Sequence, residues 1–189
     1  MQVHKTEFPG LLVLVPQVFQ DERGFFLESY SEQQFREIGI DSPFVQDNHA
    51  YSKDVGVLRG FHFQTPPKAQ AKLVWVTRGA VLDVVVDLRK GSPTYGKSER
   101  IILSAANFKR LFVPRGFGHA YVTLMPDTEF QYKVDAPYSP ANEGGILWDD
   151  PAIAMDWQSA LQGREPILSE KDRRLPTLAE FDSPFVFEG

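Results

Sequence analysis

Within the apolar run Val57-Leu58-Arg59-Gly60-Phe61-His62-Phe63-Gln64 stand an arginine and, three positions on, a histidine. Taking a guanidinium or an ionisable imidazole out of water is costly unless it has a partner or a task. Two later segments offer company: Pro114-Arg115-Gly116-Phe117-Gly118-His119 and Glu129-Phe130-Gln131-Tyr132-Lys133. Imidazole and phenol groups brought together suit acid-base chemistry. Lys72, between Ala71 and Leu73 at the head of an apolar strand, must either snorkel to water or meet an anion.

Strand periodicity limits this reading. His62 projects to the opposite face from Phe61 and Phe63, together with Gln64, while Arg59 has the opposite parity to His62 in an unbroken strand. A bulge or bend at Gly60 is needed to bring both into one cavity. Taken singly, His62 also fits a hydrogen-bonded structural histidine, and Tyr132 a half-buried core tyrosine. The segments around His62 and His119 look like the two halves of a cupin signature. Metal-binding cupins place two histidines one residue apart in the first half. Here the position is Gln64, and Lys68 and Lys72 stand where carboxylates would help. A divalent ion needs three or four neutral or anionic ligands, so the pattern predicts a cupin-like barrel with no metal.

The elements that must hold these groups read mostly as strands. Leu11–Val15, Phe25–Tyr30, Leu73–Thr77 and Val81–Leu88 are rich in branched and aromatic residues. They lie between turns such as Arg23-Gly24, Arg78-Gly79, Lys90-Gly91-Ser92-Pro93 and Pro126-Asp127, a spacing that points to a sandwich or barrel. Ser31 followed by Gln34 makes a capping box for one short helix through Phe35 and Ile38, which Gly39 can end. From about Tyr138 the pattern loosens into loops and brief helical turns. The expectation is one mainly-β domain over residues 1–189, a jelly-roll barrel with N-terminal strands, a few short peripheral helices and a wrapping C-terminal tail.

The 189 residues are 42% hydrophobic and 24% charged, an ordinary globular composition. The net charge of -5 argues against a broad nucleic-acid or anionic-membrane surface. With no cysteine, disulfide and thiolate chemistry are unavailable, which is compatible with a reducing cytosol. No apolar run approaches a bilayer span, so a cytoplasmic protein is expected.

Across most of its length the chain resembles the dTDP-4-dehydrorhamnose 3,5-epimerase family. The matching segments include Asp21-Glu22-Arg23-Gly24-Phe25-Phe26-Leu27-Glu28, Phe44-Val45-Gln46-Asp47-Asn48-His49, Gly56 to Gln64, Lys72-Leu73-Val74, Asp83 to Arg89, Gly91 to Gly96, and Leu168-Ser169-Glu170-Lys171-Asp172. The resemblance implies a cupin-type homodimer without cofactor. It would invert C3 and C5 of dTDP-4-dehydro-6-deoxy-D-glucose by proton abstraction and opposite-face reprotonation through an enolate. It implies His62 as base, Asp172 as the carboxylate orienting it, Tyr132 as acid and Lys72 beside the enolate oxygen. Substrate contacts are implied for Arg23, Phe25, Glu28, Gln46, Asp47, Asn48, Arg59, His119, Tyr138, Glu143 and Lys171. A single-site epimerase of another dTDP-deoxysugar and a non-catalytic nucleotide-sugar-binding cupin remain the competing readings. Gly118-His119-Ala120-Tyr121, Trp75 and Arg78 depart from the family's usual pattern.

Overall fold

The computed structural model describes all residues from Met1 to Gly189. The strands in chain order are β1 (Gln2–Lys5), β2 (Leu12–Val15), β3 (Val18–Asp21), β4 (Gly24–Leu27), β5 (Gln46–Ser52), β6 (Leu58–Gln64), β7 (Lys72–Arg78), β8 (Ala80–Asp87), β9 (Ser98–Ser104), β10 (Arg110–Val113), β11 (Phe117–Thr123), β12 (Thr128–Val134) and β13 (Glu143–Gly145). Two short helices, α1 (Glu32–Glu37) and α2 (Trp157–Leu161), lie outside the sheets. One sheet has six strands in the order β1-β2-β10-β7-β12-β5, a second has five in the order β13-β6-β11-β8-β9, and β3 and β4 pair apart as a hairpin. The chain is mainly β and cupin-like, as expected.

Strand alternation explains how the sheets stack. Val74 and Val76 of β7, Val81 and Val85 of β8, Leu111 of β10, Phe117 and Tyr121 of β11 and Phe130 of β12 point between the two sheets. The opposite face of the five-stranded sheet carries Phe61, Phe63, Val84, Val86, Ala120 and Val122. The chain beyond β13 covers that face with Ile146, Ile153, Trp157, Leu161 and Phe185. Covered on both sides, β8 reads as a nearly continuous apolar run rather than an alternating one. Phe61, Leu111 and Leu161 are fully buried, and each such side chain contributes about 1.5–3 kcal/mol.

The helix expected after Ser31 forms, with the Ser31 Oγ accepting from the Gln34 N–H. Its Phe35, with Ile40 beyond it, packs on Leu14, Leu73 and Phe112 at the outer face of the six-stranded sheet. The strand expected over Phe25–Tyr30 is shorter: it pairs only as Gly24–Leu27, because its one partner, β3, is four residues long.

The bend required at Gly60 is present. His62 pairs with His119 and Arg59 with Tyr121, so three steps along β6 match two along β11. One extra residue on β6 reverses the parity of what precedes it, and Arg59 and His62 come to line the same cavity. Gly60 has φ +121°, and a Cβ built on it would lie 2.5 Å from the His119 carbonyl oxygen. Both the dihedral and the space demand glycine. Gly60→Ala is expected to lower stability by roughly 3 kcal/mol or more, the combined cost of a strained φ and an overpacked core. Urea denaturation checks this, and an unchanged midpoint would show the bulge to be dispensable.

Candidate active site

A cavity of about 260 Å³ opens between the sheets. Strand β6 gives it Arg59 and His62, β7 gives Lys72, β11 gives His119 and Tyr121, and β12 gives Phe130 and Tyr132. Ser169, Lys171 and Asp172 come from the C-terminal tail. Tyr121 and Phe130 stack with ring centroids 4.2 Å apart and floor the cavity.

His62 and Asp172 lie 110 positions apart in the chain and meet at 2.5 Å, Nε2 to Oδ1. The Asp172 side chain is 4% exposed and that of His62 31%, so the carboxylate is covered while the imidazole keeps an open side. Asp172 begins a single 3₁₀ turn, Asp172–Arg174, and its N–H donates to the Ser169 Oγ at 3.1 Å. Burial would raise the Asp172 carboxyl, but the His62 hydrogen bond and charge, with help from Ser169 and Lys171, hold it below the usual carboxylate range.

A second histidine-carboxylate pair lies deeper. His119 Nε2 is 3.0 Å and 2.9 Å from the two oxygens of Asp83, which is fully buried. Burial pushes the Asp83 carboxyl up, with His119 and Lys72 acting against the rise. The Lys72 Nζ donates to the His62 carbonyl oxygen at 3.4 Å. Burial pushes its ammonium down to about 8, and the Asp83 and Glu143 charges only partly offset that. The Tyr132 phenol moves up, mainly through burial, with Arg59 opposing and Glu143 reinforcing, so it stays protonated at neutral pH.

The rim is one connected network. Lys171 Nζ and Glu143 are 2.5 Å apart, and the Tyr138 Oη donates to Glu143 at 3.1 Å. The Tyr138 N–H donates to the Gln46 side-chain oxygen at 3.0 Å, and the Gln46 amide donates to Asn48 at 2.8 Å. Gln46, Asn48, Tyr138, Glu143 and Lys171, all expected from the resemblance to contact substrate, are thus linked to one another. Asp47 is not. Alternation on β5 turns it to the outer face of the sheet, where it accepts from the Lys133 Nζ at 2.7 Å. Arg23, Phe25 and Glu28 also lie away from their own chain's cavity, on or just beyond the β3–β4 hairpin. Arg23 pairs with Asp21 at 2.5 Å, and Phe25 meets Phe108 edge-on at 4.9 Å.

Sequence reasoning did not single out Asp83 or Ser169 as site residues. The signal for Asp83 was available: it has the same parity as Val81 and Val85 in a buried run, where a lone carboxylate needs a partner. The donor set does not suit a divalent ion. His62 and His119 are each engaged by a carboxylate, and Lys72 brings a cation. Gln64 spends its amide on the Lys68 carbonyl at 2.7 Å and accepts from the Ser139 N–H at 2.7 Å.

Fold and cavity define a cupin-like jelly roll with acid-base groups between its sheets. The family model described as dTDP-4-dehydrorhamnose 3,5-epimerase matches residues 5–180. The chain belongs to the dTDP-4-dehydrorhamnose 3,5-epimerase family. The enzyme of that name from Salmonella typhimurium is 51% identical over 94% of this chain and 96% of its own. The crystal structure of the Bacillus anthracis enzyme with TDP and PPi bound is 47% identical, with a TM-score of 0.89 over 93% of this chain and 98% of that one. The Legionella pneumophila epimerase in complex with dTDP-4-keto-L-rhamnose is 38% identical, with a TM-score of 0.93 over 100% of this chain and 99% of that one.

Proposed function

We propose that this chain converts dTDP-4-dehydro-6-deoxy-D-glucose to dTDP-4-dehydro-L-rhamnose by inverting C3 and C5, as one domain acting in the cytoplasm. One observation carries the proposal: His62 and Tyr132 enter a single cavity from opposite sheets. A base and an acid on opposite walls can serve opposite faces of one sugar ring. The 4-keto group acidifies the hydrogens on C3 and C5, so removing either leaves an enolate that can be reprotonated from the other side.

In this reading His62 takes the proton. Asp172 occupies Nε2, fixes the ring and stabilises the imidazolium, which leaves Nδ1 for the substrate. Tyr132, protonated at neutral pH, returns a proton to the opposite face. Lys72 stabilises the enolate oxygen, and its low-dielectric surroundings make that charge count for more than it would in water. After each inversion His62 holds an extra proton and Tyr132 lacks one, so protons must exchange before the next. A non-catalytic binder would have no use for this pairing of base and acid.

The rim, with Gln46, Asn48, Arg59, Tyr138, Glu143 and Lys171, takes the nucleotide half, and His119 supports the sugar end. Arg59 and Lys171 suit the diphosphate, and Tyr138 offers a flat face to the thymine. Arg23, Phe25 and Glu28 reach a cavity only across a homodimer, with the hairpin of one subunit entering the partner's site. The exposure of Phe19, Phe25 and Phe26, at 60%, 61% and 70%, supports this.

Incubation with the substrate in deuterated water should place deuterium at both C3 and C5, read by proton NMR and mass spectrometry. His62→Ala should abolish both exchanges while dTDP still binds; near-normal exchange would remove His62 as base, and label at one carbon would identify a single-site epimerase. Lys72 acts as the ammonium, so activity should be present below about pH 8 and fall as pH rises through that value. A kcat/KM profile level to pH 10 would remove that role. Mixing His62→Ala with Arg23→Ala protein should recover activity that neither has alone, since a mixed dimer contains one intact composite site. Absence of recovery would confine the site to one chain.

A further inference from the structure

The segment Pro114-Arg115-Gly116-Phe117-Gly118-His119 supplies His119 to the cavity, while its arginine lies outside. Arg115, two residues past β10, donates from Nε at 3.1 Å to Oδ2 of Asp135, the residue that follows β12, and its Nη2 lies 2.9 Å from the same oxygen. The other oxygen, Oδ1, accepts from the Ala71 N–H at 2.7 Å, and the Asp135 N–H donates back to the Ala71 carbonyl at 3.3 Å. Ala71 is the residue before β7, and Lys72 is the first residue within it.

The Asp135 side chain is fully buried, whereas that of Arg115 is 57% exposed. A buried ion pair often stabilises a fold no more than apolar residues of similar size would, so stability alone is a poor account of this one. Its place says more. Lys72 is the last residue of β7 paired on either side, to Val113 and to Val134. Beyond it neither ladder holds the chain, and such an end is where local opening costs least. One residue further out, Asp135 engages both backbone groups of Ala71, and Arg115 fixes the carboxylate from the other neighbouring strand. The ends of β7, β10 and β12 are thereby tied at one point.

The Lys72 side chain crosses from the six-stranded sheet to the five-stranded one, where Nζ meets the His62 carbonyl at 3.4 Å. A lysine stem is flexible, so the ammonium is placed only as firmly as the backbone beneath it is held. The carboxylates whose charge acts on that ammonium are Asp83 and Glu143, so Asp135 reaches it through the backbone and not through charge. We infer that Arg115 and Asp135 form a positioning pair for Lys72, holding the head of β7 so that the ammonium meets the enolate oxygen, a role that rests on the one proposed for Lys72 above. Both carboxylate oxygens are already engaged within one chain, so the pair is complete without a partner subunit.

Two measurements on the full-length protein test this. The first needs no turnover: acylation of Lys72 by an N-hydroxysuccinimide ester, read by peptide mass spectrometry against the exposed Lys109. Asp135→Ala should make Lys72 react severalfold faster relative to Lys109 while dTDP still binds. The second is kcat for deuterium uptake at C3 and C5, expressed per dTDP-binding site. It should fall about tenfold or more in Asp135→Ala with dTDP affinity unchanged, since a misplaced group costs turnover and not nucleotide binding. In a Lys72→Met background the same substitution should cost nothing further, because the residues act as a unit. If Asp135→Ala does not fold, Arg115→Met, which removes only the exposed half of the pair, carries the same expectations. An unchanged acylation ratio, a loss that multiplies with that of Lys72→Met, or a fall in dTDP affinity matching the fall in kcat would each overturn the inference. Absence of deuterium uptake in the unaltered protein would instead remove the proposed reaction, and the acylation ratio would still decide whether the pair places Lys72.

Discussion

The two-residue period of a β-strand decides which side chains enter the space between the sheets, and the site exists because that period is broken at Gly60. From Lys72 to Val76 on β7 and from Phe130 to Tyr132 on β12 the rule holds: Lys72, Val74 and Val76 share one face, as do Phe130 and Tyr132, so each chemical group enters the interior beside apolar neighbours of the same parity. On β6 the rule would separate Arg59 from His62. The extra residue at Gly60 restores them to one wall, and the His119 carbonyl lies so close that no side chain fits there. The bulge thus sets where Arg59 stands on that wall relative to His62.

Burial does two opposite jobs within that space. It raises the Tyr132 phenol, keeping a proton donor loaded, and it lowers the Lys72 ammonium, bringing a cation close to losing its proton. Asp172 experiences the same desolvation, yet is held ionised by His62 directly against it. Asp83 has His119 and Lys72 as company and is still pushed up. The carboxylate against His62 therefore stays charged, while the deeper one rests nearer neutrality. The difference lies in depth: the His62 side chain of the first pair is 31% exposed, and the His119 side chain of the second only 7%.

Much of this was legible in the sequence. The Ser31 cap, the strands β7 and β8, and the need for a bend at Gly60 all follow from short-range chemistry, since each depends on neighbours a few positions away. The pairing of His62 with Asp172 did not follow from any local pattern, because 110 residues intervene. It was available only through family resemblance. Asp47 shows the opposite failure: a motif read as a block, Gln46-Asp47-Asn48, ignores the alternation that sends its middle residue to Lys133 on the other face. The hairpin residues Arg23, Phe25 and Glu28 illustrate a different limit of local reading. Proximity in a family motif does not say which subunit's cavity a side chain serves.

The C-terminal tail makes the length of that separation intelligible. A carboxylate on a loose terminal segment would hold the His62 ring poorly, since a misplacement of about 1 Å at a site can be costly. This tail is not loose. Trp157, Leu161 and Phe185 bury against the outer face of the five-stranded sheet, and Ile167 pairs with Val57 just ahead of β6. The Leu58 N–H donates to the Ile167 carbonyl at 3.0 Å, and the Ile167 N–H to the Gly56 carbonyl at 2.8 Å. From that fixed register, five residues carry the chain to Asp172, at the edge of the same strand that holds His62 four residues beyond Leu58. The segment that closes the hydrophobic core is therefore also the one that orients the imidazole, so loosening the tail's packing would loosen the His62–Asp172 pair with it.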